Sequence, residues 1–110
     1  EVRIYGKSDN EKNKILNQAK ILDDIGVDVI LLECVESDLA KEITNISKTP
    51  VIGIGSGDYC NGQVQVLYDI IGVSENPPKF STNFLQGCKS VEEAIKKYKN
   101  HVSKLNTKNS

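Results

Sequence analysis

The sequence predicts an α/β fold with parallel strands, on three observations. The stretch from Asp28 to Gln63 holds two apolar runs, DVILLEC and TPVIGIG, separated by about a dozen residues of helical periodicity, which is the pattern of a β-α-β crossover. Both runs are apolar at odd and even positions alike, as parallel strands covered on both faces are, so helices are expected to flank the sheet. The first run ends on Glu33 and the second on a glycine-rich turn carrying Gly53, Gly55 and Gly57. Ligands in parallel α/β folds bind beyond the carboxyl ends of the strands, so these two ends should lie side by side on a functional rim.

Each element follows from local signals. Residues 1–7 read as extended, with Val2 and Ile4 alternating against Arg3 and Tyr5 until Gly6 breaks the run. Ser8 and Glu11 form a capping box, in which the serine caps an orphan N–H and the carboxylate reaches back. The helix they start runs to about Ile25, burying Ile15, Ala19 and Leu22, and Gly26 supplies its left-handed stop. A strand over 27–33 follows. Ser37 or Asp38 then caps a second helix with Leu39, Ile43 and Ile46 as its buried stripe. Pro50 ends that helix and opens the strand Val51 to Ile54.

Past an Asn61-Gly62 turn, Val64 and Val66 alternate with Gln63, Gln65 and Leu67, which predicts a short third strand with both valines on one face. Residues 68–72 favour a helical turn, and Pro77 and Pro78 exclude regular structure around them. Ser90 and Glu93 make a second capping box, opening a last helix whose stripe is Val91, Ala94 or Ile95, Tyr98, Val102 and Leu105. Residues 106–110 read as a polar, frayed tail. Three parallel strands on their own leave sheet edges open, so the strands that would close them are expected in sequence outside this chain.

Length and composition narrow the function. At 110 residues the chain holds one domain at most, and its 38% apolar and 26% charged residues are those of a globular protein. With 14 basic against 15 acidic residues and no basic stripe, nucleic acid is excluded as a partner. The only arginine is Arg3, and the abundance of Lys, Asn and Ile reads as an AT-rich coding sequence rather than a lysine-built surface. Cys34, Cys60 and Cys88 are odd in number and in no metal-ligand or redox spacing, so they read as reduced thiols, in keeping with the cytoplasm. Nothing resembles a signal peptide or a membrane span of about 18 apolar residues. The chain starts at Glu1 and contains no methionine, so it is expected to be a piece of something longer.

The motifs carry a resemblance. LLECVESDLAKEIT, then TPVIGIGSGDYCNGQVQVLYDIIGV, then PPKF and a capped helix ending in KKYK are similar, in order and spacing, to the carboxyl-terminal part of the ketopantoate hydroxymethyltransferases. The match extends from RIYGK to about Val102. It implies a (β/α)8 TIM barrel of more than twice this length, of which residues 1–110 would be roughly the last three βα units. It also implies transfer of a one-carbon unit from 5,10-methylenetetrahydrofolate to 3-methyl-2-oxobutanoate, giving ketopantoate for pantothenate and coenzyme A synthesis. Mg2+ would chelate the 2-oxo acid through ligands absent from this chain, and the complete enzyme would be a homo-oligomer. The family's proton-abstracting glutamate matches Glu33, and apolar side chains near the substrate match Ile54, Val64 and Val66. Three departures stand out: Tyr68 where the family usually has histidine, Cys60-Asn61 in place of a pair with aspartate before the glycine, and a tail without the customary proline.

Each candidate also has a plainer reading. A carboxylate at an apolar strand end can be a base strengthened by desolvation, or simply an acceptor for the next helix's N-terminal amides. From the pattern alone the second reading of Glu33 leads, and the resemblance reverses the order. The GIGSG turn could cradle an anion, but a dinucleotide fingerprint would need a glycine at Asp58 and a helix at once after it, so glycines serving a sharp turn and close approach are favoured. His101 and Lys79 read as surface residues. Two alternatives to an enzyme piece that is inactive alone remain open: a free-standing α/β module binding an anion or a partner, and a half-barrel that pairs with itself or with a separate amino-terminal half.

Overall fold

The computed structural model describes residues 3–66, 79, 81–84 and 87–107. The expectations for residues 67–78, for Pro77 and Pro78, and for the tail beyond Thr107 lie outside the described residues, as does Tyr68. Among the described residues the order is α1 (Asp9–Asp24), β1 (Ile30–Glu33), α2 (Ser37–Ile46), β2 (Val51–Ile54), β3 (Gly62–Gln63) and α3 (Val91–Thr107). The strands form one parallel sheet in the order β1-β2-β3. Ile30, Leu31, Leu32 and Glu33 sit opposite Val51, Ile52, Gly53 and Ile54.

Helix α1 begins and ends where its local signals put it. The Ser8 hydroxyl accepts the Glu11 N–H at 3.2 Å. The reciprocal half of the capping box is absent, because the Glu11 carboxylate reaches past Ser8 to the Gly6 N–H and to Arg3 Nη2. Those bonds, the Gly6 amide first, hold the Glu11 carboxyl below its usual value. At the other end Gly26 has φ +80°; its N–H donates to Asp23 O, and the Val27 N–H donates to Leu22 O. This pair is a Schellman cap, which glycine accommodates without Cβ strain. Among the described residues the amino-terminal segment pairs at Tyr5, in a parallel bridge to Val35.

Strand β1 is shorter than the expected 27–33, and the expectation that helices flank both faces is not met. Ala19 of α1 and Leu39, Ala40 and Ile43 of α2 pack with Ile30, Leu32 and Val51 in one buried cluster. The opposite face, carrying Leu31 at 58% exposed, has no helix on it among the described residues. Alternation of the pleat explains the difference: the sequence pattern showed both faces apolar, but apolarity does not say what covers them.

Other details also differ. Glu36, rather than Ser37 or Asp38, caps α2, its carboxylate accepting the N–H groups of Asp38 and Leu39 at 3.1 Å each. Ile46 is half exposed, and Ala40 and Thr44 take its place in the buried stripe. Strand β3 starts at Gly62, because Asn61 docks on β2 instead of turning: its N–H donates to Val51 O and its Oδ1 accepts the Val51 N–H, both at 2.8 Å. Val64 and Val66 therefore follow the strand, although the Val64 N–H still reaches Gly53 O at 2.9 Å. In α3 the buried residues are Ala94 and Leu105, whereas Val91 and Ile95 are each 44% exposed. The Ser90 hydroxyl caps it, and the Glu93 carboxylate accepts the N–H of Lys89. No described helix is long and apolar enough to cross a membrane.

Candidate functional site

The open face of the sheet carries Glu33 and Ile54, two of the residues singled out in the sequence. Partners in a parallel pair share a face, so Leu31 lies beside Ile52 and Gly62, and Glu33 lies beside Ile54 in the next row toward the carboxyl ends. Val64 and Val66 lie past the end of β3, outside the paired register, and are 47% and 53% exposed. Glu33 and Ile54 thus form one row at the strand ends, and the structure does not bring Val64 or Val66 into its register. Glu33 is itself exposed, so the desolvation expected for it does not come from the described residues. The helix-cap alternative for Glu33 is also not met, since Glu36 holds the amides at the start of α2.

The chain turns sharply just after Glu33. Cys34 has φ +54°, a left-handed conformation uncommon for a residue with a side chain. Its N–H donates to Ile54 O on β2, while its C=O accepts the Tyr5 N–H on the other side, both at 2.8 Å. In a regular strand both groups of one residue point to the same neighbour, so the positive φ is what lets the strand end serve two neighbours at once. Burial, with the Glu33 charge adding to it, pushes the Cys34 thiol up, which keeps it protonated and a poor nucleophile. Burial does the same to Cys60, despite a hydrogen bond with Thr44. All three cysteines are free.

The glycine-rich turn is packed rather than open. A Cβ at Gly57, where φ is +82°, would fall 2.8 Å from Ser37 Cβ and 3.2 Å from Ser37 Cα. One at Gly53 would fall 2.9 Å from Cys60 Sγ. Gly57 therefore permits close approach to α2, and Gly53 permits close approach to Cys60. Ser56, between them, is fully buried, and sequence reasoning passed over it: its hydroxyl accepts the Val35 N–H and donates to Leu32 O, both at 2.9 Å. Only the contact across 21 and 24 residues reveals this role, and no local signal carries it.

A cavity of about 310 Å³ lies beyond β2 and β3, between this turn, Gln63, Gln65 and the Tyr98, His101 and Leu105 side of α3. Tyr98 donates from its hydroxyl to Gln63 O at 2.8 Å, tying α3 to β3. His101 packs against the Phe84 ring and Lys79 is exposed, as both surface readings hold. Among the described residues no group of three or more His, Cys, Asp or Glu side chains could hold a metal ion, and the resemblance assigns the Mg2+ ligands to sequence outside this chain.

Comparison with known proteins bears on the whole chain. The family model described as ketopantoate hydroxymethyltransferase matches residues 1–106. Among curated proteins, the chain is 43% identical over 103 residues to the 3-methyl-2-oxobutanoate hydroxymethyltransferase of Nitrosococcus oceani, covering 93% of this chain and 39% of the relative. The protein of the same name from Pyrobaculum islandicum is 42% identical over 102 residues, with coverage of 93% and 39%. That of Buchnera aphidicola is 40% identical over 97 residues, with coverage of 87% and 37%. The chain thus spans well under half the length of these curated relatives.

Proposed function

This chain belongs to the ketopantoate hydroxymethyltransferase family, and from that membership we propose that Glu33 is the general base of the whole protein's reaction. In that reaction a one-carbon unit from 5,10-methylenetetrahydrofolate joins C3 of 3-methyl-2-oxobutanoate, with water supplying the hydroxyl oxygen and tetrahydrofolate leaving, to give ketopantoate. Glu33 takes the C3 proton onto a carboxylate oxygen, and the electron pair of the C–H bond moves into the adjacent ketone as an enolate. Ile54, Val64 and Val66 supply apolar surface beside the substrate's methyl groups. The remaining strands of the whole protein close the open face into a (β/α)8 barrel and carry the Mg2+ ligands.

The observation that supports the reading is the carboxylate's position. Glu33 is the last in-register residue of a parallel strand, on an apolar face, and no hydrogen bond or ion pair to it occurs among the described residues. A base must be free to accept a proton, which this carboxylate is among the described residues, and the strand holds the backbone that carries it. An exposed face bearing Val29 at 52% and Leu31 at 58% also speaks for an incomplete domain over a free-standing module.

The test is Glu33→Gln in the full-length protein. Turnover should fall by about 10²–10⁴-fold, as for loss of a general base, while the 2-oxo acid still binds by calorimetry. Turnover within twofold or so of the parent would remove Glu33 from the mechanism.

A further inference from the structure

We propose that Ser56 is a positioning residue for Glu33, its hydroxyl clamping the backbone on both sides of the carboxylate; this rests on the reading of Glu33 as the proton acceptor. The Ser56 Oγ contacts Leu32 O and the Val35 N–H at 2.9 Å each, and those two residues bracket Glu33 and Cys34. Ile54 O, at 3.4 Å, is a longer second acceptor for the same hydroxyl. A hydroxyl with no exposed surface that both donates and accepts is fixed in direction, which an exposed serine is not.

The need for the clamp comes from Cys34. Its φ of +54° sends the chain out of the β2 ladder, so the buried Val35 N–H has no strand acceptor waiting and Ser56 provides one. A left-handed residue with a side chain persists only where its surroundings hold it. Here the holding bonds are Cys34 N–H to Ile54 O, Tyr5 N–H to Cys34 O, and the two at Ser56. Removing the hydroxyl leaves the Val35 N–H unpaired, and the turn relieves that by relaxing toward the right-handed region. Such relaxation rotates the peptide following Glu33 and displaces its carboxylate from the position the strand gives it.

The reporter is exchange of the C3 hydrogen of 3-methyl-2-oxobutanoate for deuterium in D2O, followed by NMR on the full-length protein with no folate donor present. Proton removal by the base and return of a deuteron account for the whole signal. Ser56→Ala should slow exchange by about 10–100-fold, the cost of misplacing a reacting group by an ångström or so. Its dissociation constant for the 2-oxo acid should stay within about threefold of the parent value, which a loss of general structure would not leave untouched. Parent-like exchange in Ser56→Ala, alongside abolished exchange in Glu33→Gln, overturns the positioning role and leaves Glu33 standing. Parent-like exchange in Glu33→Gln overturns the base reading, and the clamp's purpose with it. Proportional loss of exchange and binding in Ser56→Ala marks an ordinary structural serine and also overturns the proposal. If Ser56→Ala does not fold, Ser56→Cys decides on the same two measurements: its weaker donor and acceptor should give a partial rate loss, and a full rate refutes the clamp.

Discussion

Two glycines of nearly equal φ separate backbone strain from close packing. Gly26 at +80° faces open space, with nothing within 4 Å of a Cβ built there, whereas Gly57 at +82° is pressed against Ser37. An alanine at either position meets the left-handed penalty of about 1–2 kcal/mol. Reduced freedom of the unfolded chain offsets about 0.4–1 kcal/mol of it. Gly26→Ala should therefore cost on the order of 1 kcal/mol.

Gly57→Ala adds a steric term. Its Cβ would overlap Ser37 Oγ and lie 2.8 Å from Ser37 Cβ, so α2 must shift or the turn must open. Rotating the Ser37 side chain cannot relieve the 3.2 Å approach to Cα, which is backbone. Overpacking of this kind costs about 1–3 kcal/mol, giving a total of about 2–4 kcal/mol for Gly57→Ala. Urea unfolding of the purified protein, followed by circular dichroism with both variants at unchanged m-value, measures the gap. Equal costs for the two variants would refute the packed turn and return the anion-cradle reading of GIGSG to consideration.

Two further perturbations probe the scaffold. Leu39→Ala removes a fully buried side chain from the cluster that seats α1 and α2 on the sheet, and should cost about 2–5 kcal/mol in urea unfolding. The Asp23 carboxylate accepts the Thr49 hydroxyl at 2.7 Å and the N–H groups of Thr49 and Lys48. These bonds, the hydroxyl first, hold its pKa below the ordinary 3.8. A depressed folded-state pKa gives stabilisation that is complete above 3.8 and lost as pH falls through the folded value. The urea midpoints of the parent and of Asp23→Asn should thus differ most near neutral pH and converge in acid; a gap independent of pH would contradict the ionised clamp.

What was legible in the sequence was what neighbours along the chain decide. Ser8 and Gly26 bound α1 because a cap and a left-handed stop act within one turn of the residues they serve. The two apolar runs and Pro50 located β1 and β2 for the same reason. The cap of α2 was missed because glutamate is outside the usual capping set, and its longer side chain reaches the amides from Glu36 by bending back. Ser56 and the positive φ of Cys34 were illegible on firmer grounds. Each is decided by contacts between β1, the turn after β2 and the Tyr5 segment, which only the folded chain brings together.

The carboxylate that ends β1 and the one that caps α2 differ in what they are held by, and the difference favours Glu33 as the proposed base. Glu36 satisfies two helix amides, a duty that fixes its oxygens and lowers their availability for chemistry. Glu33, three residues earlier, meets no such demand among the described residues and interrupts a face otherwise built from Leu31, Ile52 and Ile54. Stability gives no reason for that choice, because an apolar residue there would extend the face without a charge to desolvate when the face is covered. Residues that break a local pattern without a structural return are where function is to be sought. The backbone around Glu33 repeats the point: a left-handed cysteine follows it at once, and bonds from Ile54, Tyr5 and Ser56 are spent on holding that turn. A strand end that only had to stop could do so through Gly26-like freedom, so the fixed geometry is best explained by what the fixed residue has to reach.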